Sequence, residues 1–341
     1  MATQRKQPSK ITLFILSFFP QLPLMEKNLK LCDDILVESL SPNMGYYFRS
    51  EKVLAKTQTE FQSLEVHEFK DYGRVLRLDG IFQTSDRDEF LYHEPLTHVP
   101  GICMNGARTS LVIGGGDGGA AEELLKYPTM EKVVMVELDE GVVVASKKYI
   151  PDIAKDAFNS KKLELRYEDG IKYIQNTSEK FDHVLLDLTD PFGPSAALYT
   201  KNFYEDINRI LNPGGALSLH IESPITRPTI FSGLYWTLKS VFKNVTPMLN
   251  YVPLYGTLWG FAIASQTLDP MKMTKEEVKK RLAHFNLPDL KFYNEDTHFS
   301  LMSLPNYVRD LIKHEQKPYT PDYSPNVESL ISRNLKIVEI N

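Results

Sequence analysis

The segment Val112-Ile113-Gly114-Gly115-Gly116-Asp117-Gly118-Gly119 sits between an apolar run and a run of helix formers. Glycines at such a junction let a ligand approach the backbone and the helix N-terminus. Roughly 20 residues on, Glu137-Leu138-Asp139 ends the next apolar run with an acid placed to grip ribose hydroxyls. Gly114, Gly116 and Gly119 satisfy the loose dinucleotide pattern, which a tight structural turn also satisfies. Asp117 inside the loop discriminates, because a carboxylate there repels a pyrophosphate and attracts a cation. A nucleoside with a positively charged sulfonium and no phosphate fits this loop better than a dinucleotide does. More acids recur further on: Asp169-Gly170 follows the alternating run 162–167, and Asp187-Leu188-Thr189-Asp190-Pro191 closes the apolar run 181–188.

The elements that position these residues follow from hydrophobic period. Leu64, Val66 and Phe69 are read as one strand face, and Asp79-Gly80 between 74–78 and 81–84 is a hairpin signal. A helix is expected over 86–98. Beyond it, strands at 110–113, 132–138, 162–167, 181–188 and 216–221 alternate with helices at 120–126, 141–149 and 202–211. Asn212-Pro213-Gly214-Gly215 stops the last of these helices, and a helix at 230–242 precedes strands near 245–252 and 258–265. Such alternation implies a parallel sheet with helices on both faces, where ligands bind outside the carboxyl ends of the strands. Asp117, Glu137, Asp169, Asp187 and Asp190 are therefore expected to converge on one cleft. Any one of them would serve equally well as a helix cap. Together, with no basic cluster in the same loops, they describe a pocket for a polycation.

Composition excludes several classes. A formal net charge of -5 gives no clustered cation for nucleic acid. Cys32 and Cys103 are the two cysteines and cannot build a disulfide framework or a zinc site. His93 and His98 lie five apart with Pro95 between them, so they do not share a helix face as a zinc motif requires, and no metal is expected. Residues 11–24 are apolar but too short to span a bilayer, and Pro20 and Pro23 interrupt them. They are read as an extension packing on the protein or on a partner subunit. The expected location is the cytoplasm, with no membrane partner.

The glycine loop Gly114–Gly119 resembles the signature of the polyamine aminopropyltransferases, the spermidine synthase family. So do Gln83-Thr84-Ser85-Asp86-Arg87-Asp88-Glu89-Phe90-Leu91-Tyr92-His93-Glu94 and the stretch from Asp187 to Pro194. Shorter likenesses lie at Phe61-Gln62, at Val252-Pro253-Leu254-Tyr255 and from Tyr293 to His298, so that the similarity runs from about Gly45 to Leu311. The resemblance implies a Rossmann-like doubly wound α/β sheet of the S-adenosylmethionine-dependent methyltransferase type, preceded by a small antiparallel β domain. On this reading 1–44 is an extension, 45–100 the small domain with its linker helix, 101–316 the catalytic domain and 317–341 a surface tail.

The resemblance also implies roles. Glu137 would hold the ribose, and Asp169 with Gly170 the adenine. Gln62 would touch the methionine-derived portion, while Asp117 and Asp190 would hold the aminopropyl ammonium beside Gly114 and Gly116. Asp187 would orient and deprotonate the attacking amine, with Tyr92 beside it. Gln83, His93 and Tyr255 would line the acceptor channel, with Glu222 at its far end. The donor would be decarboxylated S-adenosylmethionine, a co-substrate, so no cofactor is implied. The partners would be a small polyamine and further copies of the chain in a homodimer or homotetramer.

The catalytic loop departs from the usual spermidine synthase pattern. Ala196-Ala197-Leu198-Tyr199-Thr200 stands where a glutamate precedes Leu-Phe. Leu188-Thr189 and Leu198-Tyr199-Thr200 are closer to thermospermine synthases and triamine/agmatine enzymes, which carry Glu at the position of Asp117. Putrescine is the first expectation for the acceptor, with spermidine or agmatine as alternatives. A methyltransferase and a polyamine-binding protein without turnover are the remaining rivals.

Overall fold

The first described strand, β1 (Leu29–Leu31), pairs antiparallel with the strand Val338–Ile340 near the other end of the chain. These strands belong to a unit formed by residues 1–33 and 335–341, and a second unit comprises residues 34–334. The computed structural model describes residues 29–31, 34–41, 44–287, 290–323 and 338–340. The apolar residues 11–24 and Cys32 lie outside them.

In the second unit β2 (Ile35–Ser41) and β3 (Met44–Arg49) form a hairpin. The domain boundary drawn at residue 44 falls inside it. β4 (Lys52–Gln58), β5 (Ser63–Phe69), β6 (Gly73–Leu78) and β7 (Ile81–Ser85) form an antiparallel sheet in chain order. Asp79 and Gly80 turn β6 into β7 with φ of 49° and 81°, as a two-residue hairpin requires. Leu64 and Val66 face the helix Glu140–Tyr149 through Val142 and Ala145. Phe69 does not share their face, because side chains alternate along a strand and three positions on from Val66 point the other way. It packs with Phe82, Tyr46 and Phe48, closing the hairpin onto the opposite side of the sheet.

The helix Phe90–Cys103 links the two layers and starts later and ends later than the sequence pattern implied. It runs through Pro95 because the bond that proline cannot donate is replaced from outside: Asn250 Nδ2 donates to the freed Leu91 carbonyl at 2.8 Å.

The larger sheet contains β8 (Thr109–Gly114), β9 (Lys132–Glu137), β10 (Leu163–Tyr167), β11 (Phe181–Asp187), β12 (Leu211–Glu222), β13 (Asn244–Val252) and β14 (Thr257–Ser265). Their order is β10-β9-β8-β11-β12-β14-β13. The first five run parallel, and β14 is antiparallel to both of its neighbours. Alternate residues enter opposite layers: Val112 and Met135 join one apolar cluster, while Leu111, Ile113 and Val134 join the other. Helices cover both faces, as a methyltransferase-type α/β fold demands.

Two loops read as breaks are part of the packed structure. Asn212–Gly215 bulges from within β12, where the pairing with β11 jumps from Leu211 to Ala216. The expected surface tail begins too early, since Tyr319 is buried against Gly233 and its amide donates to Thr237 Oγ1. No described helix is long and apolar enough to cross a membrane.

Candidate active site

β8 and β11 lie where the strand order reverses direction, and their carboxyl ends meet backbone to backbone. Gly114 ends β8 at φ +81°, and a Cβ there would lie 2.1 Å from the Asp187 carbonyl. Gly115 N donates to that same carbonyl at 2.9 Å. The glycine loop is thereby clamped to the residue that ends β11. A cleft of about 510 Å³ opens at this switch point.

One side of the cleft is formed by Gln62, Gly114, Gly116, Asp117, Glu137, Asp169 and Gly170. Glu137 ends β9, and its Oε1 accepts from Asp139 N at 2.8 Å. Burial pushes its carboxyl up to about 7, despite that bond. Asp139 ties the small sheet to this wall by accepting from Thr59 Oγ1 at 2.7 Å and Gln62 Nε2 at 2.9 Å. Gln62 is thus held by the last residue of Glu137-Leu138-Asp139, to which the resemblance assigned no role of its own. Asp169 caps the helix Gly170–Asn176, with Oδ1 accepting from Ile171 N at 2.8 Å, so its cap and cleft positions coexist.

The other side carries Gln83, Tyr92, His93, Asp187 and Tyr255. His93 does more than line a channel. Its ring packs against Gly119, with Nδ1 at 2.9 Å from Glu89 Oε2. Nε2 lies 3.7 Å from Asp117 Oδ2 and 3.6 Å from Asp187 Oδ2, ion-pair distances rather than hydrogen bonds. Burial alone would lower the imidazole pKa; the surrounding acids, Asp117 foremost, outweigh it and raise the value well above the usual histidine range. Burial pushes the Asp117 carboxyl up, and the His93 charge pulls it back.

Asp187 Oδ2 is buried and accepts no hydrogen bond among the described residues. Asp117, Asp187 and His93 have ligand atoms within 4.8 Å of one another, the spacing of a metal site. A histidine ligates a metal only as the neutral imidazole, and here the neighbouring acids favour its protonated form.

Burial, with Asp187 nearby, holds the Tyr92 phenol far above its ordinary value and therefore neutral. Tyr92 stacks edge-on with Tyr255 at 6.1 Å, and Tyr255 donates its hydroxyl to the Gln83 carbonyl at 2.7 Å. These contacts fix the wall of a passage that leaves the main cleft.

That passage ends in a pocket of about 20 Å³ bounded by Glu38, Asp190 and Arg227. Here the sequence reading needs correction. Asp190 does not line the main cleft with Asp117; its Oδ2 accepts from Arg227 NH1 at 2.8 Å. Glu222 is fully buried and accepts from the same NH1 at 2.9 and 2.8 Å. The pocket thus holds a cation the loops had not revealed. Glu38, in the stretch set aside as an extension, accepts from Phe82 N at 2.7 Å, and burial pushes its carboxyl up to about 7.

The fold is a methyltransferase-type sheet, and its glycine loop presents a carboxylate, Asp117, to the cleft. The comparisons with known proteins place it further. Residues 89–275 match the spermine/spermidine synthase domain and residues 36–86 the spermidine synthase tetramerisation domain. A polyamine aminopropyltransferase of Nitrosomonas europaea is 45% identical over 288 residues, covering 84% of this chain and 89% of the relative. One from Sulfurisphaera tokodaii is 39% identical over 268 residues, covering 78% and 89%. A crystal structure of spermidine synthase in complex with the transition state analogue AdoDATO superposes with a TM-score of 0.78 at 32% identity, covering 86% of this chain and 99% of that one. The spermidine synthase from Thermotoga maritima gives 0.77 at 32% identity, with the same coverage. The chain belongs to the spermine/spermidine synthase family, and it is an aminopropyltransferase.

Proposed function

We propose that the chain transfers the aminopropyl group of decarboxylated S-adenosylmethionine to putrescine, giving spermidine and methylthioadenosine. The observation that carries the acceptor is the small pocket of about 20 Å³ beside Tyr92 and Tyr255, bordered by Glu38, Asp190 and Arg227. A four-carbon diamine can place its reacting nitrogen at Asp187 and its distal ammonium toward Glu38 and Asp190. Spermidine and agmatine carry further cationic bulk, for which the passage offers Arg227.

On the donor side, Glu137 holds the ribose and Asp169 the base in this reading. Asp117 faces the aminopropyl ammonium, and intact S-adenosylmethionine would bring a carboxylate toward that acid. The amine lone pair forms a bond to the methylene next to sulfur. The carbon–sulfur bond breaks with its electrons on sulfur, so the sulfonium becomes a neutral thioether. The proton lost by nitrogen passes to Asp187 and on to solvent. The leaving group arrives activated, so the reading needs no cofactor. Orientation and a correctly placed base carry the catalysis.

The match of residues 36–86 to a tetramerisation domain supports assembly as a homo-oligomer through the small β layers. Met44, Tyr47 and Val53 are exposed there, with 45%, 60% and 54% of their surface open.

Methylthioadenosine release, measured with putrescine, cadaverine, agmatine and spermidine in parallel, tests the reading. Putrescine should give the highest kcat/KM, and a clear preference for another amine would overturn the acceptor assignment.

A further inference from the structure

We propose that Arg227 is a specificity-determining residue that limits acceptor length, its guanidinium occupying the distal carboxylates that a longer polyamine would need. The inference rests on the putrescine reading and extends it to the residue that enforces it. Ile81, Gln83, Tyr92, Leu188 and Tyr255 border both the main cleft and the small pocket, so the two adjoin across these side chains. Where the passage ends, the side chain of Arg227 is only 4% exposed, and that of Glu222 is completely buried.

The guanidinium is not free to swing aside. NH1 bonds Asp190 Oδ2 and both oxygens of Glu222. The Arg227 backbone caps the helix Pro228–Lys239: its N–H donates to Ser223 O at 3.0 Å, and its carbonyl accepts from Ile230 and Phe231, each at 3.0 Å. Phe192 lies under the charge at 5.9 Å.

Charge decides what the end of the passage accepts. A diamine's distal ammonium meets Glu38 and the unshared oxygen of Asp190. A third cationic nitrogen, carried three or four carbons further, would meet a guanidinium that has already claimed Glu222. Rejection here combines like-charge repulsion with the lack of a free acceptor, the kind of built-in clash that gives specificity.

The double variant Arg227→Gln/Glu222→Gln removes both charges of the buried pair and frees the Asp190 carboxylate, which a third cationic nitrogen could then use. The readout is the ratio of kcat/KM for putrescine to that for spermidine, with decarboxylated S-adenosylmethionine as donor. The ratio is expected to fall about tenfold or more, chiefly through a lower KM for spermidine. An unchanged ratio in a folded protein that binds methylthioadenosine as the parent does would overturn the proposal. Arg227→Lys provides the same test if the double variant fails to fold. A shorter, rounder cation should lower the ratio by a smaller factor, and no change would again count against Arg227. A parent enzyme that already prefers spermidine would overturn the acceptor reading and the length limit together. A parent that prefers putrescine while both variants keep the ratio would overturn the length limit alone.

Discussion

His93 Nε2 faces Asp187 Oδ2 across 3.6 Å beneath the glycine loop. The imidazole is buried, its Nδ1 is anchored by Glu89, and the surrounding acids favour its charged form, so a positive charge stands behind Asp117 and Asp187. For Asp117 it opposes the burial and the neighbouring Asp187 charge that push that carboxyl up.

Replacing His93 by Gln keeps the shape and removes the charge. Stability should fall by about 3 kcal/mol, the scale of a buried pair losing one partner. The sign with pH follows from the raised imidazole value. The His93 contribution is complete below the usual histidine range and is lost as the pH rises through the folded-state value. Thermal unfolding followed upward from the usual histidine range should therefore show the two proteins converging on the alkaline side. A constant gap would contradict the charged assignment.

Glu38 has a folded-state value of about 7 against the ordinary 4.5, because it is buried. The native state keeps a proton that the unfolded chain releases, so this group's contribution to stability falls as the pH rises through that window. Acceptor binding has the opposite trend, since the distal ammonium needs the ionised form. The kcat/KM for putrescine should show an acid limb near pH 7 that Glu38→Gln abolishes. Persistence of that limb in the variant would assign it to another group.

Asp117 is expected to discriminate the donors. Decarboxylated S-adenosylmethionine should bind far more tightly than S-adenosylmethionine, and Asp117→Ala should weaken it by about 1.5–3 kcal/mol, the worth of a charged hydrogen bond. Equal calorimetric affinities for the two donors in the parent protein would contradict this placement.

Deleting residues 1–26, which precede the matched domains, should leave turnover nearly intact. A folded deletion variant that lost most of its activity would tie the apolar residues 11–24 to the cleft or to the oligomer.

Much of the catalytic layer was legible because strand and helix periods alternate cleanly from residue 109 to residue 222. That regularity places Asp117, Glu137, Asp169 and Asp187 at strand ends, as the fold requires. Arg227 and Glu38 were not legible. They lie 189 positions apart in the sequence, and their neighbourhood exists only once the β2–β3 hairpin packs beside the end of β12. Asp190 was misplaced for the same reason, since no local pattern shows which of two adjoining pockets a residue after a turn will face. Phe69 and Tyr319 mark the limits of period and composition: one sits a step out of phase, and the other is a single buried anchor in a polar stretch.

The account turns on Asp187 as the base for the attacking amine. A primary ammonium of pKa about 10.4 is neutral in roughly one molecule in a thousand near pH 7.4, a handicap of about 4 kcal/mol. A buried carboxylate oxygen with no hydrogen-bond partner among the described residues can accept that amine's hydrogen bond and then its proton. The decisive measurement is the rate of methylthioadenosine release by Asp187→Asn as a function of pH. Turnover should drop by roughly 10²-fold or more near neutrality, with donor affinity almost unchanged and partial recovery at higher pH. Near-normal turnover at neutral pH would contradict the assignment.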